Sequence, residues 1–112
     1  MENKKDDAYF TAKILTDLAF VARNMAEVNK EVFSVNEILQ DSMMFRLIQV
    51  SENARRLSDE YKAGHSNIPW LALSGLRNRI VHDYGNVDLS IVYDTLKNDI
   101  PQLMDTLREE LE

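Results

Sequence analysis

The sequence predicts an all-α protein, an antiparallel bundle of four to five helices, from three observations. Only three of the 112 residues are Gly and two are Pro, so few positions interrupt a helix. Apolar residues form 45% of the chain and recur at spacings of three and four, which is the periodicity of an α-helix. Because a chain of this length is enough for one hydrophobic core, we expect a single domain over residues 1–112.

The first helix is expected from about Asp7 to Asn29. Apolar side chains repeat along one of its faces, and alanines trace an adjoining line. The apolar positions are Phe10, Ile14, Leu18, Val21, Met25 and Val28. So wide an apolar face predicts a helix that is buried on two sides, either in the core or against a second copy of the chain.

The middle of the chain predicts a short helix and then a long one. The stretch Ser34-Val35-Asn36-Glu37 offers several possible N-caps, among them Ser34 with Glu37 at the spacing of a capping box, so the short helix is expected to begin there. A second long apolar pattern runs from Met44 to Tyr61 and should end near Gly64. We expect the long helix to pack antiparallel to the first.

Four residues delimit the helices of the last third of the chain. Pro69 suits the first turn of a helix, where its missing N–H costs nothing, and Gly85 suits the residue just past the end of that helix. Asp88 is a good N-cap for the final helix. Pro101 interrupts the apolar pattern of that final helix and should kink or restart it.

Charge and composition exclude several classes of function. Thirteen Lys and Arg against nineteen Asp and Glu give a net charge of −6, so a broad electrostatic surface for nucleic acid is excluded and any RNA contact must be local. Cysteine is absent, and neither a metal nor a cofactor is predicted. No signal peptide or membrane-spanning stretch is evident, so a cytoplasmic location without membrane contact is expected.

The stretch from Arg77 to Tyr84 carries the residue types of phosphate chemistry, in the pattern Arg-x4-His-x-Tyr. An arginine guanidinium offers a planar fork of donors that matches phosphate, and an imidazole transfers protons near neutral pH. Together, Arg77 and His82 suffice for RNA cleavage without a metal. The 2′-hydroxyl would attack the adjacent phosphorus with His82 as general base or acid, while Arg77 stabilises charge on the phosphoryl oxygens.

Helix geometry restricts how these side chains can meet. Arg77 and His82 are five positions apart and diverge by about 140° on a straight helix, whereas Asn78 and His82 share a face. Arg77 and His82 can line one cleft if the helix unwinds near Gly85, or if a symmetric partner supplies a second copy, which favours a homodimer. Asn78 would orient the imidazole or contact RNA, and Tyr84 would stack on a base or present its hydroxyl.

The order and spacing of several motifs resemble the HEPN superfamily, and more closely its HepT-like branch of ribonuclease toxins, each paired with a small nucleotidyltransferase antitoxin. The similar segments are Leu39-Gln40-Asp41, Glu52-Asn53-Ala54, Arg56-Leu57-Ser58, Ile68-Pro69-Trp70, Gly75-Leu76-Arg77-Asn78 and Val81-His82-Asp83-Tyr84. The resemblance implies an RNA substrate, catalysis by Arg77 and His82, and an antitoxin of the MNT nucleotidyltransferase type that adenylylates Tyr84. The chain departs from the family at Ser51, where Gly is common, and at Gly85, where an aromatic residue is frequent.

Two other interpretations stay open. The acidic balance also fits a non-catalytic helical partner of a nucleotidyltransferase, and a purely structural helical domain is a third possibility. Among the remaining polar or aromatic residues, we expect His65 to be an exposed loop residue and Trp70 to be a core anchor. Glu52 is expected to be solvated or paired structurally, with Arg46 or Arg77 as its candidate partners.

Overall fold

The computed structural model describes residues 6–75 and 88–111, and every regular element within these two ranges is a helix. The all-α class is therefore confirmed. The elements are α1 (Asp7–Met25), α2 (Lys30–Val35), α3 (Glu37–Arg55), α4 (Asp59–Gly64), α5 (helical over the described residues 70–75), α6 (Leu89–Asp94), a π-helical segment (Thr95–Asp99) and α7 (Ile100–Leu111).

Helices α1 and α3 pack antiparallel and form the centre of the bundle. Asp7, at the start of α1, accepts hydrogen bonds from the backbone N–H and hydroxyl of Ser58, three residues beyond the end of α3. Ten residues further along α1, Asp17 pairs with Arg46 in the middle of α3. The two helices therefore run in opposite directions, as the sequence predicts.

The core is built from the apolar stripe of α1 and its neighbours. Five of the six predicted stripe residues of α1 are buried, and Val28, which follows the helix, is packed partly against the core. The other helices and the segments that connect them contribute the remaining buried apolar residues: Phe33, Met43, Met44, Leu47, Val50, Ala54, Leu57, Ile68, Trp70, Leu73, Leu96, Ile100, Leu103 and Leu107.

Helix α1 ends four residues earlier than the periodicity predicts. The side chain of Asn29 accepts a hydrogen bond from the Val32 N–H at 2.8 Å and so caps α2, which requires Asn29 to leave the helical conformation. The carbonyls of Met25 and Ala26 at the end of α1 accept hydrogen bonds from Lys97 Nζ at 3.0 and 3.2 Å. A lysine at a helix C-terminus satisfies free carbonyls and complements the helix dipole.

The predicted capping box at Ser34 is wrong. The Ser34 hydroxyl donates to the Glu31 carbonyl at 2.7 Å inside α2, which therefore precedes this point instead of beginning there. Asn36 is the residue that caps α3, because its side chain accepts from the Leu39 N–H at 3.0 Å.

The predicted continuous helix through Tyr61 is also wrong, because α3 ends at Arg55 and a new helix begins at Asp59. Ser58 caps α4 by accepting from the Tyr61 N–H at 3.1 Å, and it is held in place by Asp7. The predicted stop at Gly64 is confirmed.

Asp88 and Pro101 affect the helices of the final third of the chain as the sequence predicts. Asp88 caps α6 by accepting from the Ser90 N–H at 2.9 Å. The Ile100 N–H bonds to the Thr95 carbonyl, five residues back, in the π-helical turn that precedes Pro101. Because proline lacks an N–H and its ring clashes with the carbonyl four residues earlier, a widened turn is a physical solution for continuing the helix. The predicted kink or restart thus takes the form of a π-helical turn.

Candidate functional site

The residues that the sequence predicts for the site, Arg77, Asn78, His82 and Tyr84, lie outside the described residues, as does the predicted helix end at Gly85. Their mutual geometry stays a prediction. The structure does describe the chain on both sides, at α5 before this stretch and at Asp88 and α6 after it.

Helix α5 is fixed to the rest of the bundle by two polar contacts. Ser51 is fully buried in α3, and its hydroxyl donates to the Ser74 carbonyl at 2.9 Å. The indole N–H of Trp70 donates to the His65 carbonyl at 3.0 Å, and its ring is 8% exposed. Trp70 is thus the core anchor that the sequence predicts, and the two hydrogen bonds attach α5 to the described part of the bundle.

His65 is a structural residue that the sequence interpretation places wrongly. Its ring stacks on Tyr61 with centroids 4.3 Å apart, and Nδ1 lies 2.9 Å from the Tyr61 carbonyl oxygen. The Tyr61 hydroxyl accepts a hydrogen bond from Thr11 in α1 at 3.2 Å. His65 is half-buried in this aromatic cluster, whereas an exposed loop position was expected.

The chain beyond the predicted site is held equally firmly. The Tyr93 hydroxyl donates to the Val28 carbonyl at 2.7 Å, and Lys30 donates to the Ser90 hydroxyl at 3.0 Å. Together with the Lys97 contacts, these bonds attach α6 and the π-helical segment to the end of α1. Residues 76–87 are therefore flanked by two elements that are anchored to the same core.

A buried ion pair in the centre of the bundle involves a residue that the sequence interpretation missed. Arg46 Nη1 lies 2.7 Å from Asp17 Oδ1, and its guanidinium lies over the Phe20 ring at 3.7 Å from the centroid. The side chain of Asp17 is 4% exposed, and its second oxygen, Oδ2, is buried without a hydrogen-bond partner. The available signal was helical spacing, because Asp17 lies three residues after Ile14 and four before Val21, on the buried face.

A cavity of about 520 Å³ opens beside α5, where this helix faces the π-helical segment and α7. Its lining residues are Pro69, Ala72, Leu73, Thr95, Asp99, Ile100, Gln102, Leu103 and Thr106. Asp99 and Gln102 flank Pro101 and were not singled out from the sequence, since no motif or spacing marks them. The cavity adjoins the part of α5 that leads toward the predicted site.

No group of three or more His, Cys, Asp or Glu side chains within residues 6–75 and 88–111 is arranged to hold a metal ion. In the same part of the chain, no helix has the length and apolar character needed to cross a membrane.

Comparison with known proteins identifies the class. The family model described as "Ribonuclease HepT-like" matches residues 12–110. This range includes most of α1, most of α7 and the whole Arg-x4-His-x-Tyr stretch. The chain belongs to the HepT-like ribonuclease family.

Individual relatives are distant but match over most of the chain. A Caldanaerobacter subterraneus subsp. tengcongensis protein named "Putative RNase TTE0752" is 26% identical over 88% of each chain. "Probable ribonuclease HepT" of Thermococcus cleftensis is 26% identical over 80% of this chain and 84% of its own. "Gamma-glutamylcyclotransferase and putative RNase MJ0434" of Methanocaldococcus jannaschii is 24% identical over 97% of this chain, which spans 49% of that longer protein. No solved structure matches the chain.

Proposed function

We propose that this protein is a metal-independent endoribonuclease that cleaves RNA with Arg77 and His82. The observation that carries the proposal is the family match over residues 12–110, because it contains the stretch whose residue types fit phosphate chemistry. The anchored α5 and α6 on either side supply the rigid scaffold that a catalytic stretch needs.

Each residue has a separate role in the proposed reaction. His82 removes the proton from the 2′-hydroxyl, or protonates the departing 5′-oxygen, and Arg77 stabilises the negative charge that develops on the phosphoryl oxygens. The new bond joins the 2′-oxygen to phosphorus, and the bond from phosphorus to the 5′-oxygen breaks. Asn78 orients the imidazole or contacts the RNA, and Tyr84 binds a base or phosphate next to the reacting group.

Two copies of the chain are proposed to form the working cleft. Because Arg77 and His82 diverge on a straight helix, a homodimer that brings two copies of both residues together would complete the site. The acidic composition fits this arrangement, since a local concentration of arginines must substitute for a broad basic surface.

Control of the activity is proposed to act at Tyr84. An antitoxin of the MNT nucleotidyltransferase type would join the Tyr84 hydroxyl oxygen to the α-phosphorus of ATP and release pyrophosphate. The added nucleotide would place bulk and negative charge where the substrate phosphate must bind. Intact mass of the protein, isolated with and without the nucleotidyltransferase, tests this step, and an unmodified Tyr84 in both samples would refute it.

Ribonuclease assays of purified protein test the central proposal. Wild-type protein should cleave single-stranded RNA in the presence of EDTA, while Arg77→Ala and His82→Ala should each reduce the rate at least a hundredfold. Arg108→Ala is a matched control, because Arg108 is an exposed arginine in the last turn of α7. Equal cleavage by wild type and by the Arg77→Ala/His82→Ala double variant would refute the assignment.

An exposed apolar surface supports a second candidate function, that of a non-catalytic partner of a nucleotidyltransferase. Val35 and Ile38 are 80% and 85% exposed, and Phe45, seven residues after Ile38 on the same face of α3, is 56% exposed. No lysine or arginine occurs between Glu31 and Phe45. Exposed apolar patches of this kind commonly contact another protein. Binding of a nucleotidyltransferase that is lost on Phe45→Ser, unchanged by His82→Ala and accompanied by no RNA cleavage would favour this alternative.

A further inference from the structure

The cavity beside α5 has apolar walls and a polar edge. Leu73 from α5 and Ile100 and Leu103 from α7 are buried residues that line it, and Ala72 adds a small side chain on the α5 side. Its volume of about 520 Å³ lies within the range of roughly 300–1,000 Å³ that is usual for small-molecule sites. The cavity is therefore large enough for a flat heterocycle between aliphatic walls.

The polar edge of the cavity is rich in hydrogen-bond acceptors. The hydroxyls of Thr95 and Thr106 donate to the carbonyls of Ile91 and Gln102 within their own helix, each at 3.0 Å, so their protons are already engaged. Asp99 adds a carboxylate, which when ionised only accepts hydrogen bonds.

The Gln102 side chain supplies both a donor and an acceptor at this edge. Within the described part of the chain, no residue bonds to the Asp99 or Gln102 side chain, and no lysine or arginine lines the cavity. The Asp99 carboxylate and the engaged threonine hydroxyls favour a ligand that presents N–H groups to this edge.

We propose that this cavity binds an unstacked RNA base with adjacent N–H donors, which among the four common bases means guanine. The N1–H and the 2-amino group of guanine lie side by side and match the two oxygens of the Asp99 carboxylate, while Gln102 is placed to bond a further edge atom. Proteins that read unpaired bases combine apolar faces with hydrogen bonds to the base edge in this way. Uracil offers a single N–H between two carbonyl groups and fits an acceptor-rich edge poorly.

This inference rests on the proposed ribonuclease function, because the cavity lies close in sequence to the predicted cleavage residues. Arg77 follows Leu73 by four positions, and their α-carbons can lie at most about 14 Å apart. A base held beside Leu73 and a phosphate bound by Arg77 are therefore proposed to belong to one short stretch of the same RNA strand. The cavity would bias the position of the cut toward guanine.

Titration with nucleosides tests the cavity separately from catalysis, because a nucleoside has no phosphodiester to cleave. Guanosine should shift the methyl NMR signals of Leu73, Ile100 and Leu103 and should bind about tenfold more tightly than uridine. Asp99→Asn should weaken guanosine binding about tenfold, because the carboxamide replaces one acceptor with a donor. Asp105→Asn, an exposed acid on α7 that does not line the cavity, is the matched control and should bind as the wild type does.

A second variant tests the proposal by filling the cavity with a larger side chain. Ala72→Phe places a ring from the exposed side of α5 into the space and should abolish binding of guanosine without unfolding the protein, as judged by its retained helical circular dichroism. Binding unchanged by both Asp99→Asn and Ala72→Phe would overturn the proposal. So would methyl signals that respond to spermidine but to no nucleoside.

The two proposals fail in distinguishable ways. The Arg77→Ala/His82→Ala variant should lose RNA cleavage and keep guanosine binding. Guanosine binding without any cleavage by the wild type would refute the ribonuclease and leave a base-binding cavity. Cleavage without guanosine binding, and with no preference for guanine at the cut, would refute the cavity alone.

Discussion

Ser51 of α3 donates its hydroxyl to the Ser74 carbonyl of α5 at 2.9 Å, and Ser51 itself is fully buried. This bond ties the long central helix to the last turn of α5 that the structure describes, three residues before Arg77. Ser51 stands where the family resemblance leads one to expect Gly, which could not form the bond. The departure from the family thus adds a fixed contact directly before the predicted catalytic stretch.

Replacement of Ser51 should loosen this contact. Ser51→Ala removes the donor and should lower the free energy of unfolding by about 1 kcal/mol. Ser51→Gly should cost about 1 kcal/mol more, because glycine is unfavourable inside a helix. Urea denaturation followed by circular dichroism measures both changes. Ser42→Ala, at a half-buried serine of the same helix, is the control and should change stability little. A loss for Ser42→Ala as large as that for Ser51→Ala would contradict this role.

Arg46 should contribute strongly to stability because its removal leaves a buried charge. The Asp17 side chain is 4% exposed and its Oδ2 has no hydrogen-bond partner, so the Arg46 guanidinium is the contact that compensates its burial. Arg46→Ala should lower the free energy of unfolding by roughly 2–4 kcal/mol, as measured by urea denaturation.

Arg23 offers a matched control for the Arg46 prediction. It also lies against Phe20, at 5.6 Å from the ring centroid, but it is exposed. Arg23→Ala should therefore change stability by less than about 0.5 kcal/mol. We expect Arg46→Met to be clearly less stable than the wild type, because methionine keeps the packing on Phe20 but not the ion pair with Asp17. If Arg46 mattered only through its packing on Phe20, Arg46→Met would be as stable as the wild type.

The sequence predicts the helices of this fold well where the local pattern allows only one position for a helix. The α1 stripe was predictable because its apolar residues recur at the three- and four-residue spacing of a helical face, and five of the six are buried. The start of α3 was not, because Ser34 and Asn36 are both good capping residues. Tertiary packing selects Asn36 as the N-cap. Phe33 is 1% exposed, and its carbonyl accepts a hydrogen bond from Gln40 Nε2 at 2.7 Å. No local spacing encodes that contact.

Some residues of the candidate site can be named from the sequence, and others only from the structure. Arg77 and His82 are proposed from residue type and spacing, since phosphate chemistry restricts the side chains that can perform it, and they stay a prediction because they lie outside the described residues. Asp99 and Gln102 could not be named in this way, because the cavity they line exists only where α5 meets the π-helical turn and α7. Pro101 marked that a distortion would occur but not which side chains it would bring together.

The Asp88 cap should stabilise the start of α6, the first described element after the predicted site. Its Oδ1 accepts from the Ser90 N–H at 2.9 Å and from the Ile91 N–H at 3.4 Å. Asp88→Ala should lower the free energy of unfolding by about 1 kcal/mol, as measured by thermal or urea denaturation. Asp94→Ala removes only an exposed ion pair with Lys30 and should have an effect within about 0.5 kcal/mol. Equal losses for the two variants would show that Asp88 acts as a surface charge and not as a cap.

Asp7 should make stability depend on acid pH. The Ser58 backbone N–H, and then the Ser58 hydroxyl, hold the pKa of Asp7 below its ordinary value of 3.8. A lowered pKa in the folded state means that the stabilisation is fully present above pH 3.8 and is lost as the pH falls through the folded-state pKa. The difference in unfolding free energy between wild type and Asp7→Asn should therefore be constant from pH 7 to about pH 5 and should shrink below pH 3.8. Denaturation at a series of pH values measures this difference, and Asp105→Asn, at an exposed acid on α7, is the control variant. A gap between wild type and Asp7→Asn that persisted undiminished at pH 2 would show that the Ser58 contacts stabilise the protonated acid as well.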